Sequence, residues 1–499
     1  MSSYVNEVNK RVSCIEDRQF ILEKMRIFEE SNDRNELAEI SKELFPYEKK
    51  YMPCYTEDCA ILICTVGLRE APIILSVLAV KPKKCILLHT KGSLRTVEMI
   101  EDDIDIKELG VVFERVEIDE VDASKNYDVM KKQVIERLRE KSKVRVDPTG
   151  GRKIMGTAVG AIAFYFRIPM VYLHAEEKAG ISVPFTGSIR DIKNPYEHYG
   201  DIDMQFLKYN FDHGYFNSAL EICDQLRRTV HDRDICLKLG FIKKLTEIYR
   251  DWNGFVHSQY YQNPKDREEL TYLSKRLESI KKDCERLGFE LIRKEDMERN
   301  ITFLNALENG WQNRSNIVDV PRIVDIYMNA IRRAEQELYD DAVARMYRCI
   351  EMCATLLLEK EGIENINKIS KKDYAEFAAK HGMDYETLMS KFNELSNYKG
   401  SKEKLEPKER PGLNDQMMLL RTIDNRAAKI YAEMNMPEEM SESARDKRNR
   451  SILAHGTSPI TKEDYLSIER YVKRIMILTI EESEFRTNTK QAAFPKLMI

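Results

Sequence analysis

The sequence predicts an α/β domain built on a parallel sheet, followed by an all-α region. Three observations carry that prediction. From residue 59 to near residue 195, short apolar runs alternate with amphipathic stretches, the texture of strand and helix units in a parallel sheet. Beyond NPYEHYG the strand pattern disappears and apolar residues recur at three and four. At 499 residues the chain also exceeds the ~250 to 300 that one hydrophobic core serves, so two or three domains are expected.

Taken in order, residues 1–54 are charge-rich with a helical rhythm in FILEKMRIFEE and ELAEISKELF, and form a leading helical arm. Residues 55–197 hold the sheet. CAILICTVG is a strand with a glycine turn, REAPIILSVLAV a helix with Pro72 in its first turn, KKCILLHT a second strand and GVVFERVEI a third. NYDVMKKQVIERLREK is an amphipathic helix, KVRVD a strand leading into TGGRKIMGTAVGAIAFYF, and PMVYLHAE a closing strand. The set reads as Rossmann-like. Residues 198–318 read as a helical connecting domain, with turns at Asn253-Gly254 and Asn263-Pro264. Residues 319–499 open on PRIVDIYMNAIRRAEQELYDDAVARMYRCIEMCATLLLEKEG, a long amphipathic helix or a pair of helices ending at Gly362. KEKLEPKERPG, residues 402–412, is a charged loop within a compact bundle.

Charged residues make up 33% of the chain but the net charge is only −4, so any nucleic-acid site must be a local patch. MSSYVNEVNKRV lacks the apolar core of a signal peptide, and no run approaches the ~18 apolar residues needed to cross a bilayer, so a cytoplasmic protein without a membrane span is expected. Ten cysteines show no zinc spacing and read as reduced, mostly buried side chains. Cys349 and Cys353, one helical turn apart, belong in a core. No metal site is expected.

The richest chemistry lies in Arg445-Asp-Lys-Arg448-Asn449-Arg450-Ser-Ile-Leu-Ala-His455-Gly456. Arginine holds a phosphate and balances charge on its oxygens, and an imidazole with a pKa of about 6.5 moves protons at neutral pH. Those groups break a phosphodiester without a metal. If the stretch is helical, Arg448 and His455 share a face, Arg450 points elsewhere, and Gly456 forms a left-handed C-cap that places His455 in the last turn. The plainer alternative is a solvated basic helix end with His455 stacked on a neighbour.

A second constellation follows strand KVRVD: Pro148, Thr149, Gly150, Gly151, Arg152, Lys153, then a helix rich in small residues. Ligands of open parallel sheets bind beyond the C-terminal strand ends. Glycines allow close backbone approach, a helix N-terminus favours negative charge, and Thr149, Arg152 and Lys153 add a hydroxyl and two cations. An anionic ligand is implied. The turn is neither a Walker A loop nor G-x-G-x-x-G. Gly67 and Arg69 after the first strand, and Thr90 and Lys91 after the second, belong to the same rim. The glycine pair could instead be only a tight turn, and His174 a residue at the edge of the core.

Together these residues carry a resemblance. D-P-T-G-G-R-K with its small-residue helix, and TVGLREAPIILSVLAVKPKKCILLHT, resemble the CRISPR-associated Rossmann fold, the CARF domain. YDDAVARMYRCIE and RNRSILAHG resemble HEPN ribonuclease domains, whose motif is Arg, four to six residues, then His. Arg448 and Arg450 both satisfy that spacing; Arg448 followed by Asn449 is the closer match. The resemblance spans residues 55–195 and 320–480. It implies an accessory effector of type III CRISPR immunity: a homodimer whose CARF pocket binds a cyclic oligoadenylate, tetra- or hexa-adenylate, and whose paired HEPN domains then cut single-stranded RNA. No metal or other cofactor is implied, and the product would carry a 2′,3′-cyclic phosphate. On this reading Gly67, Arg69, Thr90, Lys91, Thr149, Gly150, Gly151, Arg152 and Lys153 hold the activator, while Arg448, Asn449, Arg450 and His455 form the cutting site. Arg152 stands where many relatives have threonine or serine, which leaves the ring size open. The alternative is a non-catalytic CARF nucleotide sensor with a helical dimerising or partner-binding domain.

Overall fold

The computed structural model describes residues 3–133, 135, 143–256, 272–313, 318–396, 408–436, 443–454 and 456–499. The chain divides into two compact units, residues 1–201 with 229–232, and residues 202–228 with 233–499.

The first unit is a Rossmann-like sandwich. Strands β1 (Ile61–Thr65), β2 (Lys84–His89), β3 (Val112–Glu117), β4 (Val144–Asp147) and β5 (Met170–His174) run parallel in the order β3-β2-β1-β4-β5. Alternate residues of β1 enter opposite layers, as the pleat requires. Leu62 and Cys64 pack with Ile73, Val77, Val97 and Ile106 on one face. Ile63 packs with Val146, Met155, Val159 and Ile162 on the other. Helices therefore cover both faces of the central strands, which is why β1 and β2 read as near-unbroken apolar runs rather than alternating ones. Chain order reverses between β1 and β4, the switch point where open sheets bind ligands.

Three elements between residues 176 and 193 have no counterpart in the sequence reading. A hairpin of β6 (Glu177–Lys178) and β7 (Ile181–Ser182) turns at Gly180, whose φ is +74°. Strand β8 (Ser188–Ile192) then adds antiparallel to β5 as the edge of the sheet. Each run is too short or too polar to register as a strand in sequence.

The leading arm comprises helices Ser3–Arg11, Ile15–Glu30 and Arg34–Lys50. Val8, Ile21, Met25, Leu37 and Leu44 bury one another and Phe185, which belongs to the link between β7 and β8. Lys178 of β6 donates to the carbonyls of Phe28 and Glu29, tying the hairpin to the arm.

The second unit is helical. The long amphipathic stretch is a pair of helices, Val320–Glu335 and Tyr339–Lys360, with the break at residues 336–338, where Glu337 has φ +61°. Cys349 and Cys353 are fully buried. Lys462–Thr479 packs along Tyr339–Lys360 and buries Val472, Ile475 and Met476. Arg426–Met434 lies against Lys462–Thr479. The turn expected at Asn253-Gly254 ends helix Arg233–Asn253; Asn263-Pro264 and residues 402–407 lie outside the described residues. Among the described residues no helix is long and apolar enough to cross a membrane.

Candidate functional site

In the first unit, the loops after β1 and β4 meet at the switch point. They touch at backbone level. A Cβ on Gly67 would lie 2.7 Å from the Gly151 nitrogen, and one on Gly150 would overlap the Thr65 carbonyl. Gly151 adopts φ +83°, a conformation that penalises any side chain. Gly67 and Gly150 are therefore demanded by packing, and Gly151 by its backbone conformation.

Asp147 ends β4 fully buried. Its Oδ1 accepts from the Thr149 amide at 2.8 Å and from the Thr149 hydroxyl, and that hydroxyl in turn accepts from the Leu173 amide at 2.9 Å. Burial pushes the Asp147 carboxyl above the usual carboxylate range, against the pull of the Ser76 and Thr149 hydroxyls. Thr149 thus uses its hydroxyl to fasten the turn to β5. The Thr65 hydroxyl donates to the Gly150 carbonyl on the opposite side.

Around this turn lies a cavity of about 450 Å³. Gly67, Arg69, Thr90, Thr149, Gly150, Gly151 and Arg152 line it, as the sequence reading expects for a pocket at the strand ends. Lys91 and Lys153 are exposed and lie outside its wall, as does His174. Thr90 is buried and caps the short helical turn Lys91–Ser93, with its amide donating to the Ser93 hydroxyl at 3.0 Å. Helix Lys153–Tyr165 starts at the cavity floor, with the positive end of its dipole there.

Sequence reasoning missed other wall residues, among them Glu120, Tyr172, Glu177 and Ser182. Glu120 follows β3 and lies 3.5 Å from the Arg152 guanidinium, so a carboxylate partly occupies the cation an anion would use. Tyr172 presents a partly exposed ring, and Glu177 and Ser182 come from the unpredicted hairpin. Nothing local in the sequence marks these positions, because the topology alone brings them to the rim.

In the second unit, the basic segment departs from the helical expectation. Ser443 caps a short helix, Ala444–Asn449, by accepting from the Asp446 amide at 3.1 Å and donating to its carboxylate at 2.6 Å. The helix stops at Asn449. Residues 450–454 then turn back: the Gly456 amide reaches the Ser451 carbonyl, and the Ser458 amide reaches that of Arg450, both at 3.1 Å. Gly456 is not in the left-handed region, so it is no C-cap; a Cβ there would overlap the Arg450 carbonyl. The same-face argument for Arg448 and His455 therefore fails, since no continuous helix joins them. His455 itself lies outside the described residues.

Arg448 is half-buried. Its guanidinium lies over Tyr347, 4.2 Å from the ring centre, and its Nη1 donates to Asn449 Oδ1 at 3.1 Å. Lys447 pairs with Asp464 at 3.4 Å and moors the short helix to Lys462–Thr479. Ile460 donates its amide to Asp340 at 3.1 Å, anchoring the far end of the loop. Arg450 is exposed at the helix end. Ile452 and Leu453, beside His455, are 67% and 54% exposed.

A parallel-sheet domain with a glycine-rich turn at its switch point is thus followed along the chain by a helical bundle that presents an arginine loop. The helical part is matched directly: residues 313–479, one third of the chain, fit the family model of the Csm6 HEPN domain. Among solved structures, Enterococcus italicus Csm6 bound to cyclic hexa-2′-fluoro-hexa-dAMP is similar at 11% identity, covering 87% of this chain and 99% of that one, with a TM-score of 0.45. Can2 from Sulfobacillus thermosulfidooxidans, in complex with cyclic tetra-adenylate, is similar at 13% identity over 41% of this chain and 69% of that one, with a TM-score of 0.22. No curated protein matches the chain significantly.

Proposed function

We propose that this protein is a cyclic-oligoadenylate-activated endoribonuclease that cleaves single-stranded RNA in type III CRISPR defence. The observation that carries the reading is the Arg448 loop within the matched HEPN region. There a guanidinium lies over an aromatic ring, with N–H groups beyond the one given to Asn449 left to bind a phosphate. The pocket at Gly67, Gly150 and Gly151, rimmed by Arg69 and Arg152, supports an anionic activator. We assign the domains as an arm over 1–54, a CARF domain over 55–197, connecting helices over 198–318 and a HEPN domain over 319–499.

In the mechanism, Arg448 grips the scissile phosphate and offsets charge on its non-bridging oxygens. Asn449 holds Arg448 in line through their hydrogen bond. His455 transfers the proton, and Arg450 steadies the RNA backbone. The attacking group is the ribose 2′-OH, so the reaction needs no metal and leaves a 2′,3′-cyclic phosphate. The exposed Ile452 and Leu453 offer an apolar surface for a second copy, which supports a homodimer with two cutting segments side by side. Cyclic oligoadenylate then shifts that dimer toward its cutting state.

The test is a gel assay on labelled single-stranded RNA in EDTA, with cyclic tetra-adenylate, cyclic hexa-adenylate or neither. Cleavage is expected only with one of the two rings. A protein that binds a ring but never cuts RNA would be a non-catalytic sensor, and the ribonuclease reading would fall.

A further inference from the structure

We infer that Tyr347 is a positioning residue for RNA cleavage, holding the Arg448 guanidinium by its ring face so that both the charge and the in-plane donors stay available to phosphate. The inference rests on the ribonuclease reading above and names a part of that site outside the arginine and histidine motif.

A guanidinium can be fixed in two ways. A carboxylate would do so by consuming N–H donors and neutralising the cation, which spoils it for a phosphate. An aromatic face does so from above the plane and leaves the edges free. Arg448 is fixed in the second way. Its carbon lies 4.2 Å from the Tyr347 ring centre, its one hydrogen bond to a described residue goes to the neutral Asn449, and no described carboxylate pairs with it. An arginine has five donors, so the N–H groups not given to Asn449 are left for phosphate.

The ring is itself secured. Tyr347 lies on Tyr339–Lys360, between core residues Met346 and Ile350. Its hydroxyl lies 3.4 Å from that of Tyr431, and the Tyr431 hydroxyl donates to Asn414 Oδ1 at 2.7 Å. Tyr431 is buried. A chain of contacts thus runs from helix Leu413–Thr422 through two phenols to the guanidinium. The stacking face acts on Arg448, and the hydroxyls only orient the ring.

The proposal separates face from hydroxyl, which sets the experiment. Cleavage of single-stranded RNA is measured under saturating ring nucleotide for wild type, Arg448→Ala, Tyr347→Phe, Tyr347→Leu, and each tyrosine change again in an Arg448→Lys background. Tyr347→Leu should lower kcat roughly 5- to 30-fold with KM for RNA within about twofold, as expected for loss of a partly desolvated cation–π contact. Tyr347→Phe should keep kcat within about twofold, since the face survives. In the Arg448→Lys background, which retains charge but not the planar fork, Tyr347→Leu should cost almost nothing further. If leucine lowers the melting temperature, Tyr347→Met is read in its place.

Three results would overturn the proposal: Tyr347→Leu cutting at the wild-type rate, Tyr347→Phe losing as much as Tyr347→Leu, or Tyr347→Leu costing as much in the Arg448→Lys background as it does with the arginine in place. A wild-type rate in Arg448→Lys and Arg448→Ala alike would instead remove the cutting site from this loop altogether, so the two failures are told apart.

Discussion

The pocket in the sheet unit and the arginine loop in the bundle both present arginines, but they are built from different material. The pocket is a backbone device. Gly67, Gly150 and Gly151 are pressed against Thr65 and one another, and the buried Asp147 with Thr149 locks the turn. The loop is a side-chain device, in which a six-residue helix moored by Ser443 and Lys447 holds Arg448 against Tyr347. Such a difference predicts opposite tolerances. A pocket whose shape is its main chain loses stability and binding together, whereas a loop whose chemistry is its side chains loses activity and keeps its fold.

The sharpest way to break that contrast is Gly150→Ala. The added methyl would overlap the Thr65 carbonyl, which is backbone and cannot swing away. A loss of about 2 to 4 kcal/mol in denaturant unfolding of the sheet unit is expected. Binding of cyclic oligoadenylate, measured by calorimetry, should disappear with it. A variant that unfolds like wild type would mean that the two loops are not in register.

A second effect belongs to the arm. Glu48 is buried, accepts from the Phe185 amide at 3.1 Å, and has its carboxyl pushed up to about 7, chiefly by desolvation. Folding therefore tightens its hold on a proton. Its contribution is intact below its ordinary value of 4.5 and is lost as pH rises through about 7. Glu48→Gln keeps an acceptor and removes the charge, so it should raise stability at pH 8 relative to wild type by up to roughly 3 kcal/mol, and by much less at pH 5. Melting curves at the two values check this. A gain of equal size at both would show that the carboxyl is not the cause.

The smallest effect sharpens the pocket. Glu120 lies beside Arg152 at 3.5 Å, with both side chains largely exposed. Glu120→Gln should tighten binding of the ring nucleotide about two- to threefold at low salt, and the gain should fade as salt rises. Weaker binding would mean that Glu120 touches the ligand rather than competing with it.

How much of this was legible in the sequence follows the same division. Five parallel strands and the position of the glycine turn followed from apolar runs and glycine spacing, because in the central strands burial on both faces leaves its mark on nearly every residue. The hairpin at Glu177–Ser182 and the edge strand Ser188–Ile192 left no such mark, and with them went two wall residues of the pocket. Arg448 was singled out from its motif, but its surroundings were misread. Periodicity could not reveal that the helix ends at Asn449, since that end is set by the return of Gly456 onto Arg450. Tyr347 is a hundred residues upstream and only packing brings it under the guanidinium.

The most direct test of the central claim compares wild type, Arg448→Ala and His455→Ala for ring-nucleotide binding by calorimetry and RNA cleavage on a gel, using the same preparations. Cleavage should fall by about 10²-fold or more in both variants while binding stays at the wild-type level. Cleavage at the wild-type rate in either variant, or loss of nucleotide binding along with cleavage, would contradict it.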